Sequence, residues 1–115
     1  MPDAAVAEER LDLVFHALAN RTRRALLERL ASGAAKVTDL AEPFGMSLNG
    51  VSKHLLVLES AGLIRRQVNG RVHVCALDAA PMASAEEWLS SYEKYWTGQF
   101  DGLAAFLENA PESER

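Results

Sequence analysis

One stretch of this 115-residue chain limits its possible folds more than any other: residues 47–62, which read SLNGVSKHLLVLESAG. Its apolar residues recur at steps of four, three and three, the spacing of one face of an α-helix: Val51, Leu55, Leu58 and Ala61. Ser47 is a preferred N-cap residue, and Gly62 is the residue type preferred just past a helix end. The sequence therefore predicts a helix whose start, end and buried face are all specified.

The start of this predicted helix has an unusual polar composition. It carries small side chains, hydroxyls, an amide and a lysine in place of the mixed Glu and Lys residues of an ordinary solvated surface. Such side chains can enter the major groove of DNA and form hydrogen bonds with base edges, and a leucine can pack on a thymine methyl group. We predict base contacts from five residues: Ser47, Leu48, Asn49, Ser52 and Lys53.

The segments on either side of this helix extend the prediction. Residues 38–44 read as a shorter helix capped by its first residue, and a glycine-containing connection joins it to the next helix. After the central helix, two alternating runs, residues 63–68 and 71–77, flank Asn69-Gly70, the strongest short-range signal for a β-hairpin. A helix-turn-helix followed by a basic hairpin predicts a winged helix.

Three segments resemble the ArsR (arsenical-resistance repressor) family of winged-helix transcription regulators: HALANRTRRALLERLASG, DLAEPFGMSLNGVSKHLLVLESAGLIRR and NGRVHVCAL, all between His16 and Leu77. The resemblance implies a mainly α fold with a small β-hairpin wing, built from about five helices and two to three short strands. It also implies a dimeric repressor that occupies a palindromic promoter site on double-stranded DNA. The alternative is a winged-helix module that binds protein, without specific DNA binding.

The length suits a single domain, which we expect to span residues 8–109 between a flexible tail at 1–7 and a polar tail at 110–115. Two further helices and a short strand are expected before the helix-turn-helix: residues 8–19, 21–31 and 35–37. The acidic N-terminus lacks the apolar core of a signal peptide, and no apolar run reaches the ~20 residues of a membrane helix. With one cysteine, which favours a reducing compartment, we expect a cytoplasmic protein with no membrane partner.

The net charge of −4 at pH 7 is unevenly distributed along the chain. Residues 20–77 contain nine Lys and Arg against four Asp and Glu, whereas both ends are acidic. A basic middle that coincides with the helix-turn-helix is typical of a DNA-binding face. We predict contacts to the DNA backbone from seven residues: Arg21, Arg23, His54, Arg65, Arg66, Asn69 and Arg71.

A long helix is predicted from Met82 to Asn109, and it holds six of the chain's eight aromatic residues. Apolar residues recur along it at heptad spacing, which is typical of a helix that packs against another helix. In the family that the chain resembles, the first and last helices form the dimer interface; the alternative is a helix that packs only on its own domain. We predict a homodimer in which eight residues contact the second copy: Leu11, Phe15, Trp88, Leu89, Tyr92, Trp96, Leu103 and Phe106.

Many ArsR-like proteins sense metals through two cysteines just before the Asp-Leu-Ala of the first helix-turn-helix helix, and here those positions are Lys36 and Thr38. The last predicted helix has no histidine, and His73 with Cys75 offers only two ligands, fewer than a metal site needs. We therefore expect no metal and no other cofactor, and we expect Cys75 to be a small buried apolar residue. The sequence contains no glycine-rich phosphate loop and no catalytic group of residues, so we do not expect an enzyme. It identifies no small-molecule effector.

Overall fold

The computed structural model describes residues 2–109. The side chains of residues 2, 3, 99–101, 103 and 109 lie outside that description, as does the tail predicted at residues 110–115. The contacts divide the chain into two compact units, of which the first ends at Ala85 and the second begins at Glu86.

The first unit surrounds one hydrophobic core with helices and a small sheet. In chain order its elements are α1 (Pro2–Leu18), α2 (Arg21–Ala31), β1 (Ala35–Lys36), α3 (Val37–Ala41), a 3₁₀ turn (Glu42–Phe44), α4 (Leu48–Ser60), β2 (Ile64–Asn69) and β3 (Val72–Leu77). Each α-helix and each strand of this series contributes to the core, and the leucines at its centre are fully buried: Leu26, Leu40, Leu55, Leu58 and Leu63. Because burying one leucine side chain contributes about 1.5–3 kcal/mol, this core fixes the orientation of α4.

Helix α1 begins earlier than predicted. The sequence predicts a tail over residues 1–7 and a helix from Glu8, but α1 already begins at Pro2. Three of the six additional residues are alanine, the strongest helix former, and proline is favoured at the first helical position. Because residues 4–10 are all exposed, local propensity rather than burial accounts for the extension.

The first helix of the helix-turn-helix also differs from its prediction. The N-cap of α3 is Lys36 rather than Thr38, since β1 ends at Lys36 and the buried Val37 already belongs to the helix. The α-helix then gives way to the 3₁₀ turn around Pro43, which has no N–H to donate to the preceding turn. Gly45 follows with a φ of 61°, a left-handed conformation that directs the chain toward α4.

The three strands form an antiparallel sheet in the order β1-β3-β2. The predicted short strand is present and pairs with β3, and β2 and β3 form the predicted hairpin. The turn lies one residue later than the motif suggests, because Asn69 pairs with Val72 and the loop consists of Gly70 and Arg71. Gly70 has a φ of 62° and Arg71 a negative φ, as in a type II′ turn.

The prediction of a single long helix from Met82 to Asn109 is wrong. Two helices occupy this stretch: α5 (Met82–Ser90) and α6 (Glu93–Asn109). The Ser91 hydroxyl donates a 2.6 Å hydrogen bond to the Trp88 carbonyl, the acceptor that a continuing helix would offer to the Tyr92 N–H. The Tyr92 N–H donates instead to the Leu89 carbonyl at 3.0 Å, and the helix ends there. The predicted fold class, mainly α with a hairpin wing, is confirmed.

Candidate nucleic-acid interface

Helix α4 is held in place at both ends and along one face. At its start, the Ser47 hydroxyl accepts the Gly50 N–H at 3.1 Å. At its end, Gly62 has a φ of 75° and the Leu63 N–H donates to the Leu58 carbonyl at 3.0 Å, which is the bond of a Schellman ending. The predicted apolar stripe is buried throughout: Val51, Leu55, Leu58 and Ala61. The caps and the buried face of this helix are therefore confirmed.

The opposite side of the first two turns of α4 faces solvent. We name the five predicted base-reading residues the reading surface: Ser47, Leu48, Asn49, Ser52 and Lys53. Four of them are exposed, and Ser52 is half-buried. Residues four apart on a helix are neighbours, so Leu48 lies beside Ser52 and Asn49 beside Lys53. Leu48 is 51% exposed, which places an apolar side chain among hydrogen-bonding groups on one accessible patch.

Arg23 has a different role from the predicted phosphate contact. Its side chain is buried, with only 8% of the residue exposed. Nε donates to the Ala17 carbonyl and Nη2 to the His16 carbonyl, both at 2.8 Å. These carbonyls belong to the last turn of α1, where a helix leaves acceptors unpaired and carries partial negative charge. Arg23 therefore stabilises the junction of α1 and α2, and the prediction that it contacts DNA is corrected.

His54 shares in this arrangement. Nη1 of Arg23 lies 3.3 Å from Nδ1 of His54, which is half-buried on α4. Because an arginine nitrogen can only donate, Nδ1 accepts, and Nε2 is the ring nitrogen left to donate. The predicted contact of His54 with the DNA backbone stays a prediction. The sequence did contain a signal for this arrangement: cations in the first turn of a helix oppose its dipole, which indicates a nearby acceptor. That acceptor is the end of α1, to which Arg24 also donates through the Leu18 carbonyl at 2.6 Å.

The wing separates its arginines between two faces, as strand alternation requires. Arg65 is exposed, and its Nε donates to Asp78 Oδ2 at 2.9 Å. The Ala80 N–H, followed by the Arg65 guanidinium, lowers the pKa of Asp78 below its ordinary value. Asn69 and Arg71 are exposed at the tip of the hairpin, and Arg21 is exposed at the start of α2. These four residues remain predicted contacts to the DNA backbone.

Arg66 lies on the other face of the wing. Its side chain is 15% exposed, and Nε lies 3.6 Å from Glu59 Oε2 on α4. Nη1 lies 3.4 Å from Nδ1 of His73 on the neighbouring strand. Arg66 therefore joins the wing to α4, and its predicted contact with the DNA backbone stays a prediction.

The second unit carries an exposed aromatic surface. Trp88, Leu89, Tyr92, Trp96 and Phe106, all predicted dimer contacts, are each between 41% and 63% exposed. The Trp88 and Tyr92 ring centroids are 4.9 Å apart. Tyr95, which the prediction left out, is also exposed, and Lys94 Nζ lies 5.2 Å from its ring centroid.

The remaining predicted dimer residues differ in their surroundings. Leu11 and Phe15 are half-buried on α1, and the side chain of Leu103 lies outside the described residues.

The first unit also offers few ligands for a metal ion. Lys36 and Thr38 are exposed, and across the described part of the chain no group of three His, Cys, Asp or Glu residues could hold a metal ion.

Cys75 is buried as predicted, and this burial raises the pKa of its thiol.

Within residues 2–109, no helix combines the length and the apolar character needed to cross a membrane.

Residues 18–67 match a family model described as a helix-turn-helix domain. Over 98 residues the chain is 35% identical to the HTH-type transcriptional regulator Rv2034 of Mycobacterium tuberculosis, an alignment that covers 85% of this chain and 89% of that protein. Over 79 residues it is 29% identical to the transcriptional repressor SdpR of Bacillus subtilis, covering 69% of this chain and 88% of the relative.

Two solved structures resemble the fold. The crystal structure of an ArsR family transcriptional regulator has a TM-score of 0.73 and 43% sequence identity, and the match covers 78% of this chain and 93% of that one. A solution structure from Mycobacterium bovis, described as a homodimeric winged helix-turn-helix DNA-binding domain and a possible ArsR-family regulator, has a TM-score of 0.63 and 25% identity. That match covers 81% of this chain and 87% of the other.

Proposed function

Since this chain belongs to the ArsR family of winged helix-turn-helix transcription regulators, a class of DNA-binding proteins, we propose that it acts as a dimeric repressor. In this proposal the dimer occupies a palindromic promoter site and needs no metal ion to bind or release it. Such a site on genomic DNA would also place the protein in the cytoplasm.

The reading surface is the observation that carries the proposal. A rigid helix presents an amide, two hydroxyls, a lysine and a leucine to solvent, while its opposite face is fixed in the core. This combination suits the major groove, where hydrogen-bond donors and acceptors distinguish the base pairs and an apolar side chain meets the thymine methyl. The wing residues Arg65, Asn69 and Arg71 support the proposal because they are exposed on the same unit. Contacts from such side chains to phosphates would fix the register of the protein on DNA.

Dimerisation is supported by the aromatic surface of the second unit and by the Mycobacterium bovis neighbour, which is described as homodimeric. Exposed aromatic side chains of this number on neighbouring helical turns are typical of an interface. A two-fold dimer would place two reading helices about 34 Å apart, or a multiple of that distance, and would bind an inverted repeat.

Repression is supported by the Bacillus subtilis relative, which is named a repressor. Independence from metal is supported by Lys36 and Thr38, which supply no thiolate or imidazole ligand. Addition of zinc, cadmium or arsenite should therefore leave the affinity for the operator unchanged. A tenfold loss with any of these ions, about 1.4 kcal/mol of coupling, would contradict the proposal.

Selection of bound sequences from a random double-stranded DNA pool tests the proposal as a whole. We expect an inverted repeat whose half-sites are separated by about one helical turn. A protein without DNA affinity even at low salt would instead favour the alternative, a winged-helix module that binds protein, because non-specific phosphate binding is strongest at low salt.

A further inference from the structure

A groove of about 460 Å³ lies in the first unit between the starts of α3 and α4 and the strand β3. We call it the wing groove, and the polar residues that line it are Lys36, Thr38, Ser52, Arg66, Arg71 and His73. Apolar side chains, among them Leu48, complete its walls. Its volume is in the range of small-molecule sites, so it can hold a group considerably larger than a water molecule.

The charge of the wing groove has one sign. Lys36, Arg66 and Arg71 are cationic side chains contributed by three different segments, and none of the residues that line the groove is Asp or Glu. A concave surface lined by charge of one sign concentrates the field, so the groove attracts anions.

Arg66 attracts an anion more strongly than a fully solvated arginine would. Its side chain is 15% exposed, and among the described residues neither Nε nor Nη2 has a hydrogen-bond partner. Glu59 compensates it only in part, since its carboxylate oxygen lies 3.6 Å from Nε. A cation removed from water and incompletely paired is stabilised by an anion placed nearby, because the interaction is poorly screened there.

The groove also contains hydrogen-bond donors. The hydroxyls of Thr38 and Ser52 line it from α3 and α4, and no hydrogen bond of either side chain occurs within the described part of the chain. Cations and hydroxyls therefore converge from several directions. This suits a tetrahedral anion with several acceptor oxygens better than a planar carboxylate, which favours a single bidentate partner.

We propose that the wing groove is a binding site for a phosphate group, held by Lys36, Arg66 and Arg71 with help from the two hydroxyls. Two sources of the phosphate are considered. Because Leu48 and Ser52 belong both to this groove and to the reading surface, DNA is a source only if the proposed function holds, and in that respect the inference rests on it. One source is the DNA backbone, and the other is a free phosphate-bearing molecule. Phosphate binding to the DNA-free protein does not depend on that choice.

Titration of the DNA-free full chain with inorganic phosphate tests the site, with chloride used to hold ionic strength constant. We expect saturable changes in the amide NMR signals of Lys36, Thr38 and Ser52. Lys36→Gln and Arg71→Gln should each weaken the phosphate affinity about tenfold, since a hydrogen bond to a charged group is lost. Lys94→Gln, which removes an exposed lysine from the second unit, is the matched control and should bind phosphate as the wild type does.

Phosphate binding that does not saturate, or that is equal in Lys36→Gln and the wild type, would overturn the proposal. The source is then identified by measuring DNA affinity in phosphate and in chloride at equal ionic strength. A specific loss in phosphate assigns the groove to a backbone phosphate of DNA, and equal affinity assigns it to a free phosphate-bearing molecule. A wild-type protein that binds phosphate but no DNA would contradict the proposed function and leave the phosphate site standing.

Discussion

The guanidinium of Arg23 lies 3.3 Å from Nδ1 of His54, and this contact joins the start of α2 to the helix that carries the reading surface. The same guanidinium donates to two carbonyls at the end of α1. One buried arginine thus connects three helices and supplies a charged donor to two carbonyls in the last turn of α1, where a helix leaves acceptors without intrahelical partners. The position of α4 depends on this contact as well as on its apolar stripe.

Replacing Arg23 with alanine should lower the free energy of unfolding by about 2–3 kcal/mol, because buried acceptors lose a charged donor. Arg24→Ala removes an exposed hydrogen bond to Leu18 and should cost at most about 1 kcal/mol. Urea unfolding at one fixed protein concentration compares the two variants. If Arg23→Ala kept full stability but lost DNA affinity, Arg23 would be a phosphate contact after all.

Trp96→Glu should convert the dimer to a monomer, because it places a charge on the exposed aromatic surface of the second unit. Thr97→Glu adds the same charge at the next, exposed position, outside the predicted set of contacts, and should leave the dimer intact. Sedimentation at micromolar concentration measures the assembly state. A wild-type protein that sediments as a monomer under these conditions would contradict the proposed dimer.

Asp78 should contribute to stability in a pH-dependent way. Its pKa is lowered in the folded state, chiefly by the Ala80 N–H and then by Arg65, so its contribution is present above the ordinary pKa and is lost as pH falls through the folded value. The difference in stability between the wild type and Asp78→Asn should therefore be constant near neutral pH and shrink below about pH 4. Urea unfolding at several pH values tests this, and a difference that grew on acidification would contradict it.

Arg71 is exposed at the tip of the wing, where it can contact phosphate but does not extend the reading surface. Arg71→Gln should weaken binding to all DNA sequences alike and lower the slope of log affinity against log salt by about one. Arg29→Gln, at the exposed end of α2, is the control and should leave the slope unchanged. A loss of affinity confined to the operator would show instead that Arg71 reads bases.

The sequence was informative where the relevant interactions are local. The Ser47 cap, the Gly62 ending and the apolar stripe between them all involve residues within a few turns of each other, and each was predicted correctly. The hairpin was also predicted, although its turn lies one residue later because the pairing register extends through Asn69.

The errors involve contacts that leave no periodic signal. Arg23 meets partners 6 and 31 residues away, which only the folded chain brings together. Heptad spacing continues across the break between α5 and α6, while the break depends on one hydroxyl of Ser91 that competes for a backbone carbonyl. The cap of α3 is displaced from Thr38 because the sheet ends at Lys36, a tertiary constraint.

The central claim is that the reading surface of α4 recognises bases, and Asn49 is the residue that tests it most directly. An exposed amide in the first turn can form two hydrogen bonds with an adenine edge, and no buried contact of the fold depends on it. Gln67→Ala, which removes an exposed amide from the wing, is the matched control.

The decisive measurement is the affinity of the wild type, Asn49→Ala and Gln67→Ala for the selected operator and for random DNA, across a salt series. We predict that Asn49→Ala loses about 1–3 kcal/mol on the operator and almost nothing on random DNA, while Gln67→Ala changes neither. An equal loss for Asn49→Ala on both DNAs would mean that this helix positions the protein without reading sequence, which would contradict the account.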